Sequence, residues 1–172
     1  KSSISNREIK AVEAVLKKEF LGMGEDVLIF EKALSDYFRS STVCVSSGTA
    51  ALQMALEACG IGIGDEVLVP SLTYVGSFQA ISATGAKPIS CDVDSETLII
   101  DIVNAELKIN KATKAIMPVL YAGNPIGYNK ILDFARINNL RVVLDAAHAF
   151  GSTLDKKLIG SFGDINCFSF DG

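Results

Sequence analysis

The sequence has few of the residues that build metal centres and disulfide frameworks. It contains one histidine, no tryptophan and four cysteines among 172 residues, and no two cysteines form a Cys-x-x-Cys pair. A zinc site takes about four ligands, mostly Cys and His, and a disulfide framework needs regularly spaced cysteines. We therefore expect neither. Each cysteine lies in an apolar stretch, where it packs as a small hydrophobe, so we expect reduced thiols, as in the cytoplasm.

Basic residues are scattered and are outnumbered by acidic ones. The 16 Lys and Arg against 20 Asp and Glu give a net charge of -4 and a pI near 5.0. Nucleic acids and anionic membranes bind clustered Lys and Arg, so we expect neither as a partner. Charges, glycines or prolines interrupt every apolar run before it reaches spanning length, and residues 1–10 show no signal-peptide pattern. These features predict a soluble cytoplasmic protein with small molecules or other proteins as partners.

Apolar residues are abundant, at 49% of the chain with a mean hydropathy of +0.33. This is enough for one core, so residues 1–172 are expected to form one domain. Runs rich in β-branched residues alternate with segments of helical period, which predicts an α/β fold with a mostly parallel, mixed sheet flanked by helices. The predicted strands are Thr42–Ser46, Glu66–Pro70, Lys87–Asp92, Thr113–Val119, Arg141–Asp145 and Ile165–Phe170.

Helical periodicity occurs in five segments. These are Ser5–Glu19, Val27–Phe38, Thr49–Cys59, Tyr74–Thr84 and Asn129–Asn138. Ser5 and Glu8 have the spacing of a capping box. The alternating glycines from Gly60 to Gly64 follow a helix and precede a strand, which reverses the order of a dinucleotide-binding motif. We interpret them as a turn.

The end of the sequence is apolar. The strand-like segment Asn166–Phe170 is followed only by Asp171 and Gly172. No terminal helix or polar tail follows to cover this strand. We therefore expect the fold to be incomplete at its C-terminus and the chain to be the N-terminal part of a longer protein.

A first candidate site is the segment Ser46–Leu52 (SSGTAAL), which joins a predicted strand to a predicted helix. The N–H groups of a helix N-terminus lack partners and bind anions. Alternatively, Ser47 only caps the helix and Gly48 only makes the turn. The motif alone does not decide between an anion site and a simple helix cap.

A second candidate is Asp145 with His148, the single histidine. The apolar strand before Asp145 delivers its carboxylate to the carboxyl edge of the sheet, where ligands bind in open α/β folds. The carboxylate could keep a heterocyclic nitrogen protonated, and the imidazole could contact the same ligand. Alternatively, Asp145 caps the following turn and His148 is a core residue. A metal site is disfavoured because further ligands are lacking.

A third candidate is Tyr74, which follows another strand end. Its flat face could stack on an aromatic ligand, with the Thr73 hydroxyl nearby, although an aromatic residue that opens a helix is more often in the core. The three candidates together place an anion site, an aromatic face and an acid at one edge of one sheet. A phosphorylated heteroaromatic cofactor needs that combination.

With these motifs the sequence resembles the DegT/DnrJ/EryC1/StrS sugar aminotransferase family, of the aspartate aminotransferase fold. The resemblance covers essentially the whole chain. The matching motifs, in order, are Phe20–Gly24 with Phe30-Glu31, Ser47–Leu52, Gly64–Val67, Pro70–Tyr74, Pro118-Val119 with Tyr121–Gly123, Asp145–Ala149, and Phe168–Phe170.

The resemblance implies a site for pyridoxal 5'-phosphate in the large domain of the fold. Gly48, Thr49 and Ala50 would hold the phosphate through backbone and hydroxyl donors, and Ser169 would add a side-chain hydrogen bond.

The resemblance also implies roles around the cofactor ring. Tyr74 would stack on the pyridine ring. Asp145, the expected catalytic residue, would pair with the ring nitrogen and keep it protonated so that the ring acts as an electron sink. His148 would lie near the phenolic oxygen of the ring.

The implied reaction is transfer of an amino group, with glutamate as the expected donor, to a nucleotide-linked keto-deoxysugar used in surface polysaccharide or a similar glycoside. In this family the lysine that bonds the cofactor follows the serine matched by Ser169 by five residues, which is two beyond Gly172. The chain as given is therefore expected to be inactive. The resemblance also implies a homodimer with its active site at the interface.

Three alternatives remain open at this stage. Some relatives carry histidine in place of that lysine and are 3-dehydratases, although Asp171-Gly172 is more typical of the aminotransferases. The chain could instead be a non-catalytic binding or regulatory module. A nucleotide-binding Rossmann domain is disfavoured because its glycine fingerprint is missing.

Overall fold

The computed structural model describes residues 3–170, so the prediction that concerned Asp171 and Gly172 lies outside the described residues. The chain forms two compact units, residues 3–44 and Val45–Phe170. No helix in the described part is both long and apolar enough to span a membrane.

The first unit contains two helices, α1 (Asn6–Lys17) and α2 (Glu25–Phe38). The predicted capping box is present at α1: Ser5 Oγ accepts a hydrogen bond from the Arg7 N–H at 3.1 Å, and the Glu8 carboxylate accepts one from the Ser5 N–H at 2.6 Å. The sequence therefore located the start of α1 correctly.

The predicted strand at Thr42–Ser46 is wrong. The structure assigns no strand there, and the backbone donors are used by side chains of α2. The Thr42 N–H donates to Ser35 Oγ at 3.0 Å, and the Cys44 N–H donates to Glu31 Oε1 at 2.7 Å. A β-branched run becomes a strand only when a neighbouring strand accepts its hydrogen bonds.

The second unit is built on a parallel sheet. Its strands are β1 (Glu66–Pro70), β2 (Lys87–Cys91), β3 (Thr113–Ile116), β4 (Arg141–Asp145) and β7 (Ile165–Cys167), and a separate antiparallel pair consists of β5 (Thr153–Leu154) and β6 (Lys157–Leu158). The five strands lie in the order β2-β1-β3-β4-β7, and every pairing among them is parallel. This confirms the predicted class. β3 ends before Pro118, which has no N–H to donate to a neighbouring strand.

Four α-helices and one short 3-10 helix belong to this unit. They are α3 (Gly48–Ala58), α4 (Val75–Ala83), α5 (Ile102–Lys108), α6 (Tyr128–Ile137) and a 3-10 turn at Tyr121–Gly123. The sequence predicted α3, α4 and α6 to within a few residues, and the glycine-rich segment after α3 is a turn, with Gly60 and Gly64 at positive φ. It missed α5, which buries only Ala105 and so lacks a clear apolar face.

Each face of the sheet packs on its own pair of helices. Leu68, Ile116 and Leu144 belong to one apolar cluster together with residues of α5 and α6. Val67 and Val143, which alternate with them along the strands, belong to a second cluster with residues of α3 and α4. Burial of one such aliphatic side chain contributes about 1.5–3 kcal/mol. The two layers explain why the central strands are apolar on both faces.

The strand order creates a crevice at one edge. The chain leaves β1 for β2 on one side and then crosses back to β3 on the other side of β1. In open α/β sheets, ligands bind beyond the carboxyl ends of the strands where the order reverses in this way. We call the region beyond the carboxyl ends of β1, β3, β4 and β7 the carboxyl edge.

Candidate functional site

The N-terminus of α3 has two backbone donors without partners. Ser47 is the N-cap, and its Oγ accepts the Ala50 N–H at 3.1 Å. The N–H groups of Gly48 and Thr49 have no acceptor among residues 3–170. The first turn of a helix also carries a partial positive charge. The capping role of Ser47 and an anion site are therefore compatible, because the cap uses Ala50 and leaves Gly48 and Thr49 available.

Gly48 lies against Ser169, two residues beyond the end of β7. A Cβ atom built on Gly48 would be 3.4 Å from Cβ and 3.6 Å from Oγ of Ser169. The sequence predicted that these two residues act on the same group. The fold brings them into contact range although they come from opposite ends of the second unit.

The first turn of α4 approaches the same point through Gly76. A Cβ atom built on Gly76 would be 2.5 Å from Thr49 Oγ1 and 2.9 Å from Cδ1 of the Tyr74 ring. Gly76 thus allows the N-termini of α3 and α4 to lie close together. Tyr74 is the N-cap of α4 and is 76% exposed. The alternative interpretation of Tyr74 as a core residue is therefore wrong.

Asp145 is the buried acid of the carboxyl edge. It ends β4, is 6% exposed, and accepts hydrogen bonds from Ser77 Oγ at 2.8 Å and from the Ala147 N–H at 3.2 Å. Burial raises the pKa of the Asp145 carboxyl, while the two hydrogen bonds and the nearby His148 act in the opposite direction. Asp145 therefore does cap the following turn, and it is also the only Asp or Glu that is buried among the described residues.

Ser77 was missed by the sequence analysis. It is 1% exposed, and its Oγ lies 2.7 Å from Thr73 Oγ1 as well as 2.8 Å from Asp145 Oδ2. The i, i+4 spacing of Thr73 and Ser77 at the start of a helix was visible in the sequence. Its partner Asp145, which lies 68 positions away, was not.

His148 is held by the turn at Tyr121–Gly123. Its Nδ1 accepts a hydrogen bond from the Ala122 N–H at 3.3 Å, and its ring packs edge-on against Tyr121 with the centroids 6.0 Å apart. An imidazole that accepts at Nδ1 carries its proton on Nε2. His148 is exposed, so it is not a core residue and can donate from Nε2 to a ligand.

The conformation of this turn is unusual. Ala122 has φ 53 and Gly123 has φ 78, and a Cβ atom on Gly123 would be 2.7 Å from the carbonyl oxygen of His148. Ala at positive φ is strained, and such strain persists where the surrounding structure requires it. Ser152 Oγ donates to the Gly123 carbonyl at 3.0 Å and helps to hold the turn in place.

The structure therefore brings the predicted site residues to one edge in connected groups. Gly48 meets Ser169, Thr49 meets the first turn of α4, and that turn contacts Asp145 through Ser77. No group of three or more His, Cys, Asp or Glu within residues 3–170 could hold a metal ion. The arrangement offers donors for an anion, a flat aromatic face, a buried carboxylate and an imidazole donor.

The chain also matches known proteins in sequence. Residues 2–172 match the sequence profile of the DegT/DnrJ/EryC1/StrS aminotransferase family. GDP-perosamine synthase of Escherichia coli O157:H7 is 50% identical over 74% of this chain and 35% of its own length. UDP-N-acetyl-3-dehydro-alpha-D-glucosamine 3-aminotransferase of Acidithiobacillus ferrooxidans is 43% identical over 73% of this chain and 34% of its own length.

The fold is shared with solved structures. Spr1654 of Streptococcus pneumoniae, solved in its PLP form, has a TM-score of 0.87 and 35% identity over 98% of this chain and 47% of its own. The chain thus spans between about a third and a half of the length of these relatives. The chain belongs to the DegT/DnrJ/EryC1/StrS aminotransferase family, whose cofactor is pyridoxal 5'-phosphate.

Proposed function

We propose that the carboxyl edge binds pyridoxal 5'-phosphate and that the whole protein transfers an amino group to a nucleotide-linked keto-deoxysugar. The observation that carries this proposal is the convergence of the unpaired Gly48 and Thr49 N–H groups, the exposed Tyr74 ring and the buried Asp145 carboxylate at one edge. Each of these groups suits a different part of the cofactor.

The phosphate fits the N-terminus of α3. The Gly48 and Thr49 N–H groups, the Thr49 hydroxyl and the Ser169 hydroxyl provide donors, and the helix N-terminus favours an anion. Gly48 leaves room for Ser169, since a Cβ there would come within 3.4 Å of the serine side chain. The Ala50 N–H already donates to Ser47 Oγ, so we propose that it serves the phosphate only if Ser47 rotates away.

The heteroaromatic ring fits Tyr74 and Asp145. An aromatic face that is 76% exposed is available for stacking. A buried carboxylate with accepted hydrogen bonds at both oxygens is a suitable partner for a protonated ring nitrogen, because opposite charges attract strongly away from water. When bound, the cofactor supplies an electron sink for the carbanion formed when an amine-bearing carbon loses its proton.

We assign His148 to the phenolic side of the ring, as the family resemblance implies. The support is its tautomer: the Ala122 N–H occupies Nδ1, so Nε2–H is left to donate to an oxygen. The Tyr121–Gly123 turn orients that donor before any ligand arrives, which reduces the entropy lost on binding.

The substrate class comes from the relatives. Two relatives at 50% and 43% identity are named for products or substrates linked to GDP and to UDP, respectively. We therefore propose a nucleotide-linked sugar, with glutamate as the amino donor, in the synthesis of surface polysaccharide or a related glycoside. The family resemblance puts the cofactor-bonding lysine two positions beyond Gly172, so we assign proton shuttling to that lysine.

We further propose a cytoplasmic homodimer. All four cysteines are free thiols, as expected in a reducing compartment. The carboxyl edge would lie at the subunit interface, where residues of the second subunit complete the phosphate and substrate pockets.

The test is cofactor titration of the full-length protein, followed by visible absorption, and amination of GDP- and UDP-linked keto-sugars with glutamate. We expect saturable binding of about one cofactor per subunit and formation of an amino sugar. Asp145→Asn should weaken cofactor binding, since the ring nitrogen would lose its charged partner. Absence of a visible band, or loss of water from the sugar instead of amination, would overturn the proposed reaction.

A further inference from the structure

Ser77 connects the first turn of α4 to the acid of the carboxyl edge. Its side chain is buried, at 1% exposure, and Oγ forms hydrogen bonds with Asp145 Oδ2 at 2.8 Å and with Thr73 Oγ1 at 2.7 Å. Thr73 is half-buried in the segment that connects β1 to α4. The three side chains thus form a continuous chain of hydrogen bonds from Thr73 to Asp145.

The protons in this chain have one consistent order. An ionised carboxylate can only accept, so Ser77 donates its single proton to Asp145. The Ser77 oxygen is then the acceptor in its contact with Thr73, and the Thr73 hydroxyl must donate. If Asp145 were protonated at Oδ2, both hydrogen bonds could reverse. The direction of the chain therefore depends on the charge of the carboxylate.

We propose that Thr73 and Ser77 are positioning residues that keep Asp145 ionised and oriented for the cofactor, a role that rests on the proposed function. Ser77 takes one position at Oδ2 and the Ala147 N–H takes one at Oδ1. A carboxylate offers about four acceptor positions. Both oxygens thus retain a position for a further donor, such as a protonated ring nitrogen.

Asp145 needs these hydrogen bonds because it is buried. A buried carboxyl without donors gains a proton, because desolvation penalises the charged form, and a neutral acid cannot hold a ring nitrogen protonated. Burial is the largest influence on the pKa of Asp145 and raises it, while the Ser77 hydrogen bond is the largest influence that lowers it. His148 also lowers the pKa of Asp145. The buried thiol of Cys167, the partner of Asp145 across the β4–β7 pairing, is the other titratable group beside it, and the charge of Asp145 raises the pKa of that thiol.

Four single variants of the full-length protein test the proposal. Ser77→Ala removes the direct donor, and Thr73→Val removes the second donor while keeping the side-chain shape. Thr73→Ser restores the hydroxyl. Ser82→Ala is the matched control, because Ser82 is an exposed serine on the same helix.

Two measurements are made on each variant. The first is the pKa of the Asp145 carboxyl without cofactor, from carbon NMR, with the signal assigned by its loss in Asp145→Asn. The second is the Kd for pyridoxal phosphate. We expect Ser77→Ala to raise the Asp145 pKa by roughly one pH unit and the Kd roughly tenfold, as for loss of a hydrogen bond to a charged group. Thr73→Val should produce smaller changes in the same direction, and Thr73→Ser and Ser82→Ala should match wild type.

If Ser77 contributed only to the stability of the fold, the variants would give a different result. Lower thermal stability in Ser77→Ala with an unchanged Asp145 pKa and Kd would overturn the proposal. If Ser77→Ala does not fold, the comparison of Thr73→Val with Thr73→Ser decides, and equal pKa values in these two variants would also overturn it. A wild-type protein that binds no cofactor would refute the proposed function, whereas the pKa comparison would still report on the hydrogen-bond chain.

Discussion

The backbone at Gly76 lies so close to the side chain of Thr49 that a methyl group on Gly76 would come within 2.5 Å of Thr49 Oγ1. These two residues open consecutive helices of the chain, α4 and α3. Their proximity places the anion-binding turn next to the aromatic residue Tyr74. The two helix starts therefore form one surface, and its dimensions depend on the absence of a side chain at position 76.

Gly76→Ala should weaken cofactor binding with little loss of stability. The added methyl group displaces Thr49 or the Tyr74 ring, and such overpacking costs about 1–3 kcal/mol, whereas Ala in place of Gly in a helix returns about 1 kcal/mol. We expect the Kd for pyridoxal phosphate to rise roughly tenfold in an absorption titration. Gly62→Ala is the control, because its methyl group would meet its nearest neighbour, the Thr84 carbonyl, at an ordinary 3.7 Å. Equal affinities for the two variants would contradict this account.

Asp145→Asn should change the stability of the protein and its affinity for the cofactor in opposite directions. Burial raises the pKa of Asp145 in the folded protein, so the folded state binds more protons than the unfolded state between the ordinary Asp pKa of about 4 and the raised value. The contribution of this group to the free energy of unfolding therefore falls as pH rises through that window. Asn does not titrate, so position 145 in the variant loses no free energy of unfolding as pH rises.

We accordingly expect Asp145→Asn to gain stability relative to wild type as pH increases from about 4, while its affinity for the cofactor falls. Denaturant unfolding at several pH values, with a cofactor titration beside it, measures both effects. A difference in stability between variant and wild type that does not change with pH would show that Asp145 titrates in the folded state as it does in the unfolded state.

Gly123→Ala should change the position and tautomer of the His148 ring, whereas a comparable glycine substitution elsewhere should not. The substitution combines an unfavourable positive φ with a contact of 2.7 Å to the His148 carbonyl oxygen. Gly60→Ala is a matched control, since Gly60 has the same φ of +78 but no atom within 4 Å of the added methyl group. Both variants should lose about 1 kcal/mol from the backbone conformation. Only Gly123→Ala should shift the nitrogen NMR signals of His148, which report its tautomer, and identical spectra for the two variants would count against the role assigned to the turn.

The Cys167 thiol should resist alkylation in the folded protein. Burial, followed by the charges of Asp145 and Cys59, raises the pKa of Cys167 to about 12. The thiolate is the reactive form, so at pH 8 its fraction is about three orders of magnitude below that of an ordinary thiol. Mass spectrometry after timed treatment with iodoacetamide should find Cys167 unmodified until denaturant is added. Labelling at the same rate in the folded and denatured protein would refute the buried position.

The parts of the fold that the sequence predicted depend on local patterns. The apolar runs of the central strands, the face of α3 that buries Leu52 and Leu56, and the capping box of α1 can all be recognised within a window of a few residues. The error at Thr42–Ser46 has the opposite cause. Strand formation there depends on a pairing partner, and the backbone donors of this segment are used by α2 side chains instead.

The same distinction applies to the site. Asp145 and Tyr74 were predicted because one ends an apolar strand and the other closely follows one, which is a local feature. Ser47 was predicted from the hydroxyls and glycine that precede a helical segment, although the strand expected before it is absent. Ser77 and Gly76 were missed because their importance comes from contacts with residues that are distant in sequence. Their identities, a small hydroxyl and a glycine inside a helix, are common and carry no signal until the partner is known.

The approach of Gly48 to Ser169 couples ligand binding to folding of the entire second unit. One of these residues begins the first helix of that unit, and the other follows its last strand. Partial opening of either end would separate them, so only molecules with the complete sheet can bind tightly. A ligand bound there stabilises the closed sheet by RT ln(1 + [L]/Kd). Amide hydrogens of the central strands should consequently exchange more slowly as cofactor concentration rises, even though those strands do not touch the ligand.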